Sequence, residues 1–340
     1  MSCKKLLDAI KNYQVSACMD MVDRQLGPPV QSFQLDSDVW GPPQLWQLYG
    51  VTKDLILVEF NGGELALVST KSGEIVTRND SRSLLGGNIG LSVSSNLSAG
   101  LLIRAVESFK TPIFRLPELA LEVEIKAQYG NTPMSAKFSP CGQYLAIGYG
   151  RYPLGIPEHP IDSVVEIWSL QKSPEFVTWQ RMPGVACSAI AWNADSSFLA
   201  VFSGNNNQKT GYLALIETNG WNISQICETR LGMMSDAFVG WYSVILFGFQ
   251  GWELRSWMDL GNEDDASILE VENSPGNCGF GPGGFVFTNG SLVSIEKEEA
   301  AVLPKSTVCA TTLLDGGVAS LSNESILQVW PSGKLDIQQS

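Results

Sequence analysis

The sequence predicts an all-β protein: a series of similar four-stranded antiparallel sheets preceded by one amphipathic helix. Three observations carry this. Short β-rich runs joined by Gly-containing turns recur from residue 38 to the C-terminus. "FSPCGQYLA" from Phe138 and "WNADSSFLA" from Trp192 match in register at an offset of 54, and "SGEI" at Ser72 matches "SGKL" at Ser332. Runs such as "LILVEF" and "VILFGF" are apolar on both strand faces, so each sheet needs a neighbour on either side.

The helix comes first. Leu6, Ile10, Tyr13, Ala17 and Met21 recur at spacings of three and four, which predicts a helix over residues 4–26 with one apolar stripe. Gly27-Pro28-Pro29 ends it, because proline cannot continue the ladder. The first sheet is "LILVEF", "ELALVST" and "EIVTR", joined by the turns Asn61-Gly62-Gly63 and Lys71-Ser72-Gly73. The second is "AGLLIRA", "TPIFRLPE" and "LALEVEI"; the third is "SAKFSP", "YLAIGYG", "VVEIWSL" and "EFVTWQ". "SAIAWN", "FLAVFSG", "GYLALIE" and "NISQICE" make the fourth, and "DAFVG", "SVILFGF", "WELRSW" and "SILEVE" the fifth. The sixth has "GFVFTNG" and "SLVSIEKE", with "AAVLP" as its outer strand; the seventh has "CATTLL", "GVASLS", "SILQVW" and "KLDIQ".

Four-stranded repeats of roughly 40 residues read as propeller blades. The expectation is a seven-bladed β-propeller over residues 31–340 behind a helical extension over residues 1–30. A closed ring gives every two-faced sheet two neighbours, which a pair of β-sandwiches does less well. The ring closes through "KLDIQ" or through "SFQLD" at residues 32–36 as outer strand of the last blade.

"FSPCGQYLAIGYG" followed by "VVEIWSL" resembles a WD-repeat blade, in which a first hairpin turns at Ser-Pro-Asp-Gly and a third strand ends in Trp-Asp. Here the turn is Ser139-Pro140-Cys141-Gly142, with Asp195 at the matching place in the next unit. Trp168 is followed by Ser169 and Trp330 by Pro331. The resemblance is strongest over residues 131–230 and extends to 306–338. The family's Gly-His dipeptide and its Asp-His-Ser/Thr-Trp hydrogen-bond set have no counterpart, since His159 is the single histidine. The resemblance therefore implies a degenerate propeller held by apolar packing. It also implies a scaffold that binds proteins or peptides with one face and carries out no chemistry.

Composition narrows the chemistry. The net charge of −13 and the lack of a basic run exclude a phosphate-binding surface, so nucleic acid and anionic membrane surfaces are not expected partners. No apolar window has the length of a membrane span, and the N-terminus lacks a signal-peptide core, so the expected location is the cytoplasm. The seven cysteines have no CxxC spacing and read as reduced, buried side chains. One histidine excludes His-rich metal centres, and no metal, cofactor or catalytic residue is assigned. "GFGPGG" at 279–284 leads into a strand rather than a helix and reads as a turn. Glu263-Asp264-Asp265 lacks the spacing of a calcium loop. The alternative function is a lactonase-like propeller hydrolase whose carboxylate ligands converge on the central channel.

The candidate binding residues lie where loops lengthen on one face. Arg151 to Asp162, the stretch from Gly204 to Thr210, and Gln250 to Trp252 are equivalent loops of consecutive blades. They offer Arg151, Tyr152, Leu154, His159, Lys209 and Trp252 to a protein or peptide partner. The helix stripe of Leu6, Ile10, Tyr13 and Met21 is a second candidate surface, for docking onto the propeller or for self-association.

Overall fold

The computed structural model describes residues 22–24, 26–35, 47–60, 64–79, 92–96, 101–105, 110–130, 132–150, 163–204, 211–229, 236–239, 243–248, 251–256, 267–270, 285–288, 291–294, 299–313 and 315–331. Among them all regular structure is strand, arranged as five four-stranded sheets and one eight-stranded sheet. The chain divides into two compact units. One comprises residues 1–89, 117–120 and 277–340; the other comprises 90–116 and 121–276.

In the first unit the chain enters through β1 (Val22–Arg24) and β2 (Gln31–Gln34). The first sheet follows as β3 (Gln47–Gly50), β4 (Leu55–Glu59), β5 (Leu65–Ser69) and β6 (Ile75–Asn79). The second unit holds four such groups. The second sheet is β7 (Ser92–Asn96), β8 (Leu101–Ala105), β9 (Lys110–Arg115) and β10 (Ala120–Lys126). The third is β11 (Thr132–Phe138), β12 (Tyr144–Gly150), β13 (Val164–Ser169) and β14 (Glu175–Arg181). The fourth is β15 (Ala186–Trp192), β16 (Phe198–Gly204), β17 (Gly211–Glu217) and β18 (Asn222–Thr229). A single pair, Gly150 with Ala186, joins third and fourth into the eight-stranded sheet. The fifth is β19 (Asp236–Val239), β20 (Ser243–Gly248), β21 (Gly251–Ser256) and β22 (Ser267–Glu270).

The chain then returns to the first unit with β23 (Val286–Thr288), β24 (Ser291–Ser294) and β25 (Glu299–Val302), and with β26 (Thr307–Thr312), β27 (Val318–Ser322) and β28 (Ile326–Trp330). Each triplet is completed by an N-terminal strand. β1 pairs in parallel with β25, Val22 against Glu299, and β2 pairs antiparallel with β28, Phe33 against Leu327. The sixth sheet is thus β23, β24, β25 and β1, and the seventh is β26, β27, β28 and β2. One N-terminal stretch supplies the outer strand of two sheets.

This corrects two expectations. Val22–Arg24, inside the stretch expected as helix, is a strand; residues 1–21, with Leu6, Ile10, Tyr13 and Met21, lie outside the described residues. Residues of "AAVLP" form the third strand of the sixth sheet, and β1 takes the outer place. Tertiary pairing overrides the helical spacing here. Leu26, just beyond β1, is buried with Phe285, Phe287, Leu292 and Trp330, and Trp330 Nε1 donates to the Gly27 carbonyl at 3.0 Å. Of the two closing strands expected, the one containing residues 32–34 is the one that pairs with β28.

Neighbouring sheets within each unit pack through apolar faces. The third and fourth share Ile167, Met182, Cys187, Ile190, Leu199 and Val201, while the seventh and first share Leu35, Ile56, Phe60, Leu321 and Leu327. Apolar burial at roughly 25 cal/mol per Å² is the main stabilising term. The repeat also shows in irregularities. The strands that open three of the four-stranded groups, β11, β15 and β26, carry register shifts at Pro133/Ser135, Cys187/Ala189 and Thr307/Cys309. The outer strands β6, β14 and β18 shift opposite Leu67/Val68, Ile167/Trp168 and Leu215/Ile216. Such bulges re-aim a strand and blunt an edge.

The 54-residue offset is matched by geometry. Phe138 pairs with Leu145 as Trp192 pairs with Leu199. Both turns between them need a left-handed residue, Gly142 at φ 71° and Ser196 at φ 62°. Cys141 is exposed in its turn, against the expectation of burial, because the turn holds it outside both strands. Its backbone N–H donates to Ser196 Oγ at 3.0 Å, so the two matched turns touch each other.

A similar close approach fixes β2 to the first sheet. A Cβ at Gly73 (φ 71°) would lie 2.1 Å from the Phe33 ring, and Gln31 Nε2 donates to the Lys71 carbonyl at 2.9 Å. Gly73→Ala combines a left-handed backbone with a clash and is expected to destabilise by about 2 kcal/mol or more, read as a lowered urea midpoint.

Candidate functional site

The third sheet has one end at which β11 and β13 begin and β12 and β14 finish: Thr132 pairs with Gly150, and Val164 with Arg181. The connector Gln128–Gly130 enters this end from β10. A glutamate in the middle of an apolar strand governs it. "VVEIW" places Glu166 in β13 with its side chain fully buried. Burying a carboxylate is costly unless donors surround it. Three successive backbone N–H groups do so: Gln128, Tyr129 and Gly130 donate to Glu166 Oε1 at 2.9, 2.6 and 2.9 Å. Consecutive N–H groups converging on an anion form a nest, and charge-assisted bonds are the strong ones. Glu166 therefore fastens the connector.

Gly130 lets the connector lie flat. A Cβ there would fall 2.1 Å from the Tyr149 ring. Tyr149 is buried on β12 with Ile113, Ile125, Leu145, Ile147 and Trp168 in one apolar cluster that spans the second and third sheets. Burial pushes its phenol well above the usual value near 10, the Glu166 charge and hydrogen bonding add to this, and Thr111 opposes it. A folded-state value above the unfolded one means that this contribution is fully present below about pH 10 and is lost as pH rises beyond it. The wild type is thus expected to lose stability more steeply above about pH 10 than Tyr149→Phe, checked by thermal melts across alkaline pH.

Above this buried layer the connector carries Tyr129 at the surface. Its ring stacks on Trp179 of β14 with centroids 4.7 Å apart and planes at 20°, and Phe176 lies 5.6 Å from it. Tyr129 is 45% exposed and Trp179 36%. Val177 is exposed beside them. Trp179 pairs with Glu166 in register, so the residue that fastens the connector is also the cross-strand neighbour of the ring on which Tyr129 rests. The arrangement is a rigid, half-exposed aromatic platform. Its chemistry suits contact with another molecule: two large rings, already ordered, lose little entropy on binding.

The sequence-predicted binding residues are not among those that form this platform. Arg151, Tyr152, Leu154, His159 and Lys209 lie outside the described residues. Trp252, read from sequence both as the end of a loop and as the first residue of "WELRSW", is in strand β21 and pairs with Phe247 and Leu269. The reason is the tight connection: Gly248 pairs with Gly251, leaving only residues 249 and 250 between the strands. Sequence reasoning does not single out the platform residues. Their signals are a carboxylate inside "VVEIW" and an aromatic directly before the connector glycine.

Other buried polar groups serve the fold. Ser163 donates to the Met182 and Pro183 carbonyls at 3.1 Å each, and Ser135 to the Cys187 carbonyl at 2.9 Å. Hydrogen bonds from the side chain and backbone of Ser197 hold the exposed Asp195 carboxyl below its usual range. The Cys141 thiol is also held below its usual value, because hydrogen bonds involving Ser139, Ser196 and local backbone outweigh the upward push of partial burial. Burial pushes the Cys187 thiol up to about 12. Among the described residues no group of three or more His, Cys, Asp or Glu side chains is placed to hold a metal ion. No helix among them is long and apolar enough to cross a membrane.

No protein-family profile matches the sequence, and no curated protein does. Among solved structures, the chain is similar to a chain of Kuenenia stuttgartiensis hydrazine synthase, with a TM-score of 0.62 and 9% identity over 87% of this chain and 97% of that one. At this identity the likeness concerns fold alone, and it supports a β-propeller-like all-β architecture.

Proposed function

We propose that the chain is a non-catalytic scaffold that binds a protein or peptide, and that its seven four-stranded groups are the blades of one ring closed by β1 and β2. The observation that carries the binding reading is the Tyr129–Trp179 stack, half-exposed yet fixed through the connector by Glu166. Aromatic residues ordered in advance of binding are the usual anchors of interfaces. The connector that carries Tyr129 joins two sheets at the end of the third sheet where β12 stops at Gly150 and β13 starts at Val164. The segment between those strands contains Arg151, Tyr152, Leu154 and His159 in the sequence, which is why they are tested beside the platform.

The test is affinity capture from a lysate of the source organism with wild type, with Tyr129→Ala/Trp179→Ala, and with Arg151→Ala/Tyr152→Ala. Loss of a wild-type partner from the first variant, with its melting midpoint close to wild type, supports the platform. Loss from the second variant only would move the site to the longer segment. Retention by both would reject the reading.

A further inference from the structure

The hairpin between β17 and β18 turns at Thr218-Asn219-Gly220-Trp221, with Glu217 paired to Asn222 across it. Gly220 has φ 95° and Trp221 φ 56°, so a bulky side chain stands in the left-handed region that favours glycine. Its surroundings hold it there. The Trp221 ring meets Tyr144 of β12 edge-on at 5.0 Å and Trp192 of β15 at 6.3 Å. Its carbonyl accepts from Gln180 Nε2 of β14 at 2.5 Å. Trp221 and Tyr144 both pack against the apolar cluster that the third and fourth sheets share. The hairpin tip is a clasp from the fourth sheet onto the third, and a residue in so sparse a conformation depends on such contacts.

The two residues before Trp221 are open to reaction. Asn219 and Gly220 are both exposed. Among the described residues, neither the Asn219 amide nor the Gly220 N–H makes a hydrogen bond of ordinary geometry. A Cβ built at Gly220 would meet Asn222 Nδ2 at 3.0 Å and nothing else within 4 Å. Two other asparagines show the contrast. The Asn193 amide bonds Asp195 and Ser197, and the Asn79 amide bonds the Leu119 carbonyl. Each is followed by a residue with a side chain, Ala194 and Asp80, which hinders attack by the next backbone nitrogen.

We propose that Asn219-Gly220 is a self-modifying site, which ages to aspartate and isoaspartate and thereby loosens the Trp221 clasp. The Gly220 nitrogen bonds to the Asn219 side-chain carbonyl carbon and gives up its proton. The amide nitrogen takes up a proton and leaves as ammonia, closing a succinimide ring. Water then opens the ring. Breaking the bond from nitrogen to the side-chain carbonyl yields aspartate. Breaking the bond to the main-chain carbonyl yields isoaspartate, with the chain now running through the side chain. Solvent water is the sole co-reactant. Either product adds a negative charge to the tip, and isoaspartate adds a backbone atom directly before the residue that makes the clasp.

The test ages the full chain in mildly alkaline buffer and follows Asn219 by peptide mapping. Beside it are a synthetic peptide of residues 215–224 and the full-length Asn219→Gln variant. The variant keeps Asn61-Gly62 and Asn289-Gly290, so it isolates this site. Conversion of Asn219 in the folded chain is expected to keep pace with the peptide. Aged wild type should show a red shift of tryptophan emission and a lowered melting midpoint, and aged Asn219→Gln neither. An amide retained in the folded chain while the peptide converts would overturn the proposal, because the hairpin then blocks ring closure. Conversion with emission and melting unchanged would contradict the loosened clasp.

Discussion

Deleting residues 1–35 is expected to abolish cooperative folding of the first unit. The deletion removes β1 and β2, the outer strands of the sixth and seventh sheets, from partners near the other end of the chain. It strips out Leu26 and Leu35, each buried in an apolar cluster, and the Gly27 carbonyl that accepts from Trp330. Each buried leucine contributes about 1.5–3 kcal/mol, and the lost strand pairings add to that. The total approaches the whole stability of a typical domain. It also leaves the backbone edges of β25 and β28 open, and open edges recruit other chains. The expected result is a protein that expresses insolubly or melts without a sharp transition, followed by circular dichroism. Leu26→Asp tests the same seam with one residue and should lower the melting midpoint strongly. A sharp wild-type-like melt for the deletion would mean that β1 and β2 contribute nothing to the fold.

The second large effect is at Glu166. Glu166→Ala leaves the N–H groups of Gln128, Tyr129 and Gly130 without their acceptor in a part-buried setting. Losing these charge-assisted bonds while leaving their donors unmet costs about 2–4 kcal/mol. Glu166→Gln keeps an acceptor oxygen at the same reach and should cost about 1–2 kcal/mol, the charge-assisted part of the bonds. Urea denaturation separates the two, and tryptophan fluorescence reports whether Tyr129 still rests on Trp179. Equal, small losses for both variants would show that the connector is held by packing alone.

The repeated sheets are legible in the sequence because both-sided apolar runs and glycine turns are local signals. "YLAIGYG" and "VVEIWSL" become β12 and β13 almost residue for residue. Two inner or edge strands are not legible for the opposite reason. "SVSSN" of β7 and "QLYG" of β3 are polar or short, and their pairing partners, not their composition, make them strands. β1 is the clearest case. Its residues continue a helical spacing, and only the distant edge of β25 decides otherwise. The aromatic platform is hidden because it needs three segments at once: a connector, a buried carboxylate and an outer strand. No spacing in the sequence shows that Glu166 fastens the segment carrying Tyr129. The expectation of purely apolar fastening is incomplete for the same reason, since a backbone nest has no side-chain signature.

Whether a partner binds at the Tyr129–Trp179 platform is decided by calorimetric titration. The purified captured partner is titrated into wild type and into Tyr129→Ala/Trp179→Ala. A dissociation constant at least tenfold weaker is expected for the variant, about 1.4 kcal/mol, with the melting midpoint preserved. Equal affinity in a folded variant would place the binding site elsewhere on the molecule.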